Sequence, residues 1–113
     1  MGRYRFVDLA ELKPVLCPCG ESRRAFGDKT GDPVSVHLVH ISRDSKAHYH
    51  KRLTEIYVVL QGEGHLELDG EKIPAKPLRA VVIEPGCRHR AVGDLLILNI
   101  VSPPFDPQDE WFD

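Results

Sequence analysis

Apolar residues along this chain fall into short runs, and most of them recur at every second position. In "VSVHLVHI" (34–41) they alternate with other residues and are largely β-branched, the pattern of a strand with one buried face. "EIYVVLQ" (55–61) is strongly apolar and ends at Gly62. "GHLELDGEKI" (64–73) reads as a strand, a turn at Asp69-Gly70 and the start of a second strand. "LRAVVIE" (78–84) stops at the Pro85-Gly86 turn signal, and "LLILNIV" (95–101) is a continuous apolar run, as expected of a strand covered on both faces. Pro103, Pro104 and Pro107 then close regular structure ahead of an acidic tail, "DEWFD", that carries Trp111 and Phe112. Helical pattern is thin: "VDLAELKP" (7–14) has room for one or two turns before Pro14. About seven or eight short strands separated by Gly and Pro predict an all-β domain, a barrel or a sandwich.

Length and composition narrow this further. A chain of 113 residues makes one compact domain, and a hydrophobic content of 42% supports a core without covalent staples. The formal charge is −2, from 15 Lys and Arg against 17 Asp and Glu, which argues against nucleic acid and anionic membrane as partners, because both need an excess of positive charge. No apolar run is long enough to span a bilayer. Asp8 and Glu11 stand where a secretory signal would be apolar, so a soluble cytoplasmic protein is expected. Gly2 is not followed by Ser or Thr at position 6, which is Phe6, so a myristoylation signal is not expected. Three cysteines, Cys17, Cys19 and Cys87, make a poor disulfide framework. "CPCG" has too short a spacing for a zinc knuckle and reads as a Pro- and Gly-rich turn with reduced thiols; an inert buried thiol is expected at Cys87.

The chemistry-bearing residues lie in "AHYHKRLTEIYVVLQGEG" (47–64) and "EPGCRHRAV" (84–92). In an extended chain His48 and His50 project to one side, with Tyr49 opposite. Glu55 opens the next strand after a short polar turn. If that strand pairs antiparallel with the first, its carboxylate returns beside the two imidazoles, with Tyr57 and Val59 on the same face. His89 follows the Pro-Gly turn. Neutral imidazoles with one carboxylate suit a divalent Mn, Fe, Co, Ni, Cu or Zn ion. Taken singly, the histidine pair is more often a solvated face, Glu55 an exposed acid at a strand start and His89 a turn residue; their joint spacing is what points to a site.

That spacing resembles the two motifs of the cupins. In the first, His48, His50, Glu55 and Gly62 fall at the expected gaps, with Ser42 in place of the leading glycine. In the second, Gly86 and His89 fit, while Leu78, Glu84 and Gly93 replace a glycine, a proline and an asparagine. The resemblance implies a double-stranded β-helix, the cupin jelly-roll barrel, as a single domain over residues 1–113. Its core would be about 34–102, with an N-terminal arm at 1–33 and a tail at 103–113. It implies that His48, His50, Glu55 and His89 converge on one divalent metal ion, with Fe, Mn, Ni, Zn and Cu not distinguished.

The activity implied is a metal-dependent, dioxygenase-like oxidoreductase or a related enzyme acting on a small oxygenated substrate. A non-catalytic sensor or binding module for a small molecule is the alternative, and a purely structural metal, or none at all, is a third reading. Tyr57 is the candidate for a catalytic role, and Tyr57, His40 and Asn99 for substrate binding; Arg79 and Arg88 are further polar candidates. His37 and His40 have opposite parity in one strand, so at most one faces inward, and His40 is taken as that one. His65 is expected at the surface. Small cupins commonly dimerise, and "RYRFV" (3–7) is a segment able to serve a homodimer. Trp111 and Phe112 call for a surface, the chain's own or a neighbour's.

Overall fold

A computed structural model describes residues 2–113. Seven strands form one antiparallel sheet: β1 (Val15–Cys17), β2 (Gly20–Ala25), β3 (Ser35–Ile41), β4 (Thr54–Leu68), β5 (Glu71–Pro74), β6 (Ala80–Ile83) and β7 (His89–Ser102). The strand order is β1-β2-β3-β7-β4-β5, with β6 also paired to β4. The helical pattern before Pro14 yields one short 3-10 turn, Leu9–Glu11, and a second such turn spans Asp28–Thr30. Among the described residues no helix is long and apolar enough to cross a membrane.

β4 and β7 are longer than the apolar runs suggest. β4 continues through Gly62, where the pattern predicts an end, and β7 begins at His89, upstream of the continuous run. Glycine explains both extensions. Gly64 and Gly93 are direct partners across the β4–β7 ladder. A Cβ on Gly64 would lie 2.0 Å from the Val92 carbonyl oxygen, and one on Gly93 2.4 Å from that of Glu63. Backbones this close tolerate no side chain, so glycine here keeps two long strands paired where they bend rather than ending them. A bulge between Val59 and Gln61 adds to the bend.

The bend divides each long strand in two. The first half of β4 pairs with β6, Glu55 opposite Ile83, and the second half pairs with β5, Leu66 opposite Ile73. Side chains of Ile41, Val59, Leu66, Ala75, Ala91, Leu95 and Ile97, drawn from both halves of the long strands, fill the interior as one apolar cluster. Leu66 and Leu95 are fully buried, each stabilising the fold by roughly 1.5–3 kcal/mol relative to exposure. Residues 15–25 supply two strands to this sheet through the β2–β3 ladder, while Tyr4 and Phe6 are exposed outside any strand.

Candidate metal centre

Antiparallel pairing brings the distant histidines together. His48 and His89 form an isolated bridge in which each N–H donates to the other's carbonyl, at 3.1 and 2.9 Å. Residues so paired hold their Cβ atoms about 5.5 Å apart on the same face, and the two rings lie 4.4 Å apart between centroids. His50 projects to the same side, its ring 5.2 Å from His48 and 5.3 Å from His89. Glu55, first on the inward face of β4, completes the group. One ligand atom from each of His48, His50, Glu55 and His89 lies within 4.8 Å of every other, so the cluster can hold a metal ion.

The hydrogen bonds around the cluster set the direction of each donor. Nδ1 of His50 donates to the Asp109 carbonyl at 2.6 Å, Nδ1 of His89 to the Cys87 carbonyl at 2.9 Å, and Nδ1 of His48 to the Lys46 carbonyl at 3.4 Å. That commitment turns each Nε2 toward the common centre. Nε2 of His50 and Nε2 of His89 both lie 2.9 Å from the same Glu55 oxygen, Oε1, while Oε2 accepts the Asn99 amide at 2.7 Å. Two neutral imidazoles with Nδ1–H engaged elsewhere present only lone pairs to that carboxylate. Lone pairs facing a buried anion repel, so the arrangement calls for a cation at its centre, protons or a metal ion. The donor set therefore fits a divalent ion.

Charge states follow the same geometry. Burial, followed by the neighbouring His89, pulls His48 down to about 4, which keeps it neutral and able to coordinate. Burial also works against charge on His50, but the hydrogen bond and charge of Glu55 outweigh it and raise this group. Burial would raise Glu55, yet where protons rather than a metal ion fill the centre, hydrogen bonds with His50 and His89 hold it well below the usual carboxylate range.

The C-terminal tail, which had two possible surfaces to choose from, packs on its own chain and braces the site. Asp109 is buried, and its carboxylate accepts the N–H groups of Lys51, Arg52 and Leu53 at 3.0, 2.9 and 3.1 Å, together with the Trp111 indole at 3.0 Å. It thus clamps the turn between His50 and Glu55 while its own carbonyl orients His50. Trp111 bridges Tyr49 through backbone hydrogen bonds and stacks under the Lys51 ammonium. Glu110 approaches His48 Nε2 at 3.6 Å. Nothing in the pattern around "DEWFD" points to Asp109 as a partner of residue 50, because the pairing exists only once the tail has folded back.

A cavity of about 140 Å³ opens beside the cluster, and Tyr57 and Asn99 are among the residues that line it. Burial, then the charge of Glu55, pushes the Tyr57 phenol well above its ordinary range. His40 does not line it. Its ring is exposed and pairs with Asp94 at 2.8 Å on the outer face. His37 faces inward instead, because the register sets it opposite Asn99, and Asn99 opposite Tyr57, in one row across β3, β7 and β4. It is buried, bonded to Ser35 at 2.8 Å, and lowered to about 4 chiefly by burial. Arg79 and Arg88 also lie elsewhere, the first on the Pro74 carbonyl and the second paired with Asp113 over the Tyr49 ring. Cys17, Cys19 and Cys87 are free thiols. Cys17 and Cys19 flank Pro18 at the cavity wall, where hydrogen bonding between them lowers Cys17 and raises Cys19.

Comparison with known proteins places this geometry in context. Residues 35–95 match the family model described as cupin domain. An uncharacterised protein of Aquifex aeolicus (strain VF5) is 35% identical over 79 residues, which cover 67% of this chain and 65% of that relative's length. A crystal structure of a protein from Planctomyces limnophilus is 47% identical, with a TM-score of 0.91 over 96% of both chains. Streptomyces Pac13, a nucleoside dehydratase, is 22% identical with a TM-score of 0.79, covering 96% of this chain and 89% of its own; at that identity the likeness is one of fold, a β-barrel.

Proposed function

The chain belongs to the cupin family, and on that premise we propose that it is a metal-dependent enzyme acting on a small oxygenated substrate in the cavity beside the cluster. His48, His50, Glu55 and His89 are the ligands of one divalent ion in this reading. The observation that carries it is the approach of two imidazole Nε2 atoms to one carboxylate oxygen, both at 2.9 Å, with both Nδ1 atoms already spent on carbonyls. A bound divalent ion supplies Lewis acidity toward a substrate oxygen, or a redox centre where the metal is iron, copper or manganese.

The chain's own residues do the rest. Asn99 holds the second oxygen of Glu55 and so fixes the carboxylate's rotation. Tyr57 stays protonated across the neutral range and is a hydrogen-bond donor to a bound substrate. A cavity of this volume takes a molecule of about six non-hydrogen atoms, the size of benzene. Pac13, a nucleoside dehydratase solved with uridine, is one case in which this fold serves an enzyme with a small-molecule ligand. Free thiols and a near-neutral charge balance fit a reducing cytoplasm. Exposed Tyr4, Phe6 and Leu16, the last on edge strand β1, support a homodimer, which sedimentation would test.

Protein loaded in turn with Fe(II), Mn(II), Ni(II), Cu(II) and Zn(II), assayed against oxalate, diketones and short hydroxy acids with oxygen uptake recorded, tests the proposal. Turnover that requires a metal and disappears in His50→Ala supports an enzyme, and oxygen consumption assigns dioxygenase chemistry. No turnover with any metal, alongside intact ligand binding, makes it a binding module instead.

A further inference from the structure

One row of side chains crosses four strands toward the cluster. The register sets Arg24 opposite His37, His37 opposite Asn99, and Asn99 opposite Tyr57. Paired residues project to the same face of a sheet, and all four line the cavity. Two members of this row, Asn99 and Arg24, offer hydrogen-bonding groups of opposite kind that no side chain among the described residues takes up.

Beside the cluster, Asn99 gives its Nδ2–H to Glu55 at 2.7 Å. The amide cannot turn over, because its oxygen would then face a carboxylate. Oδ1 is thereby left as a buried acceptor with no partner among the described residues. Such an atom is costly to leave unmet, and it accepts only from an O–H or N–H.

At the outer end, the Arg24 guanidinium rests on the Phe105 ring, 4.9 Å from its centroid, and Nε reaches Ser22 Oγ at 3.3 Å. The arginines in ion pairs are Arg5, Arg52, Arg88 and Arg90; among the described residues Arg24 is in none. Arg24 is exposed where it lines the cavity, and a guanidinium resting on a ring, with its terminal N–H groups free of protein partners, is a fork that fits a carboxylate. Neutral His37 between Arg24 and Asn99 adds no competing charge.

We propose that the substrate is a small hydroxycarboxylate whose carboxylate pairs with Arg24 and whose hydroxyl donates to Asn99 Oδ1, beside the His48–His50–Glu55–His89 cluster. This assignment rests on the reading of the cavity as the substrate site and names the class of molecule that enters it. Strand spacing sets the Arg24 and Asn99 backbones roughly 10 Å apart, a gap that an arginine side chain and a short acid span together. The cavity volume excludes larger acids from its enclosed part.

Calorimetric titration of zinc-loaded protein with lactate, lactamide and propionate tests the assignment. Lactamide removes the charge and propionate removes the hydroxyl at nearly constant size. Lactate is expected to bind about tenfold or more tightly than either. Arg24→Gln is expected to lose that advantage over lactamide while zinc content stays at one ion per chain, and Arg24→Lys to restore part of it. Equal binding of lactate and lactamide, undiminished lactate binding by Arg24→Gln, or zinc-loaded protein that binds no lactate overturns the assignment and leaves the metal reading standing. Wild-type protein that takes up no zinc strikes the metal reading instead, and the same Arg24 comparison on that metal-free protein still decides the assignment.

Discussion

Two regions of the interior are built from the same strands, β4 and β7 above all, and filled by opposite chemistry. On one side Val59, Leu66, Ala75, Ala91, Leu95 and Ile97 close against each other with no polar side chain among them. On the other, His37, His48, His50, Glu55, His89 and Asn99 occupy the interior, tied to backbone carbonyls and to one another. Apolar burial on the first side holds the fold together, and that leaves the second free to carry polar groups whose burial contributes little to stability by itself. Stability and chemistry are therefore separable by mutation.

Leu95→Ala should have the largest effect, a loss of about 3–4 kcal/mol read from chemical denaturation, because a fully buried leucine leaves a cavity behind. Its metal content per folded chain should not change. Glu55→Gln should reverse the pattern, lowering affinity for zinc by more than about a hundredfold in a chelator competition while the protein stays folded. A Leu95→Ala protein that lost metal but not stability would break the division between the two sides.

Acid should act through the polar side. His37 and His48 lie near 4 in the folded protein, chiefly through burial, against about 6.5 unfolded. Between those values the unfolded chain binds protons that the folded chain refuses, so the stability of metal-free protein should fall as pH drops through that window, by on the order of 2 kcal/mol for each histidine. His50, raised in the folded state, has the opposite sign; its contribution is present below its unfolded value and is lost as pH rises through the folded one. Urea unfolding at pH 7.5 and pH 5 would measure the sum, and His37→Gln should flatten the difference.

Asp109→Ala should cost about 1–2 kcal/mol and weaken metal binding about tenfold, since it frees three N–H groups and loosens the carbonyl that orients His50. His40→Ala, on the outer face, should change stability by less than about 0.5 kcal/mol and leave metal content untouched.

Much of this was legible in the linear pattern, for local reasons. Period-two alternation marks the inward face of β4, so Glu55, Tyr57 and Val59 share a side as parity requires. The histidine pair and His89 are recognisable because their spacing answers to a strand, a turn and a bridge. What escaped depends on partners distant in the chain. Parity cannot say which face of β3 is the inner one, so it does not separate His37 from His40; the pairing of His37 with Asn99 decides it. Glycine reads as a stop in "LQGEG", yet Gly62 and Gly64 continue β4, because the tight approach of β7 is a property of two strands. Asp109 and Arg24 carry no local signature. One takes its meaning from the turn at 51–53, the other from a ring at Phe105.

Elemental analysis of protein purified without chelator or nickel resin bears most directly on the cluster. One divalent ion per chain is expected, lost in His50→Ala and in Glu55→Gln with the barrel still folded. A wild-type chain that holds no metal after exposure to each candidate ion, or a His50→Ala chain that retains a full equivalent, would contradict it.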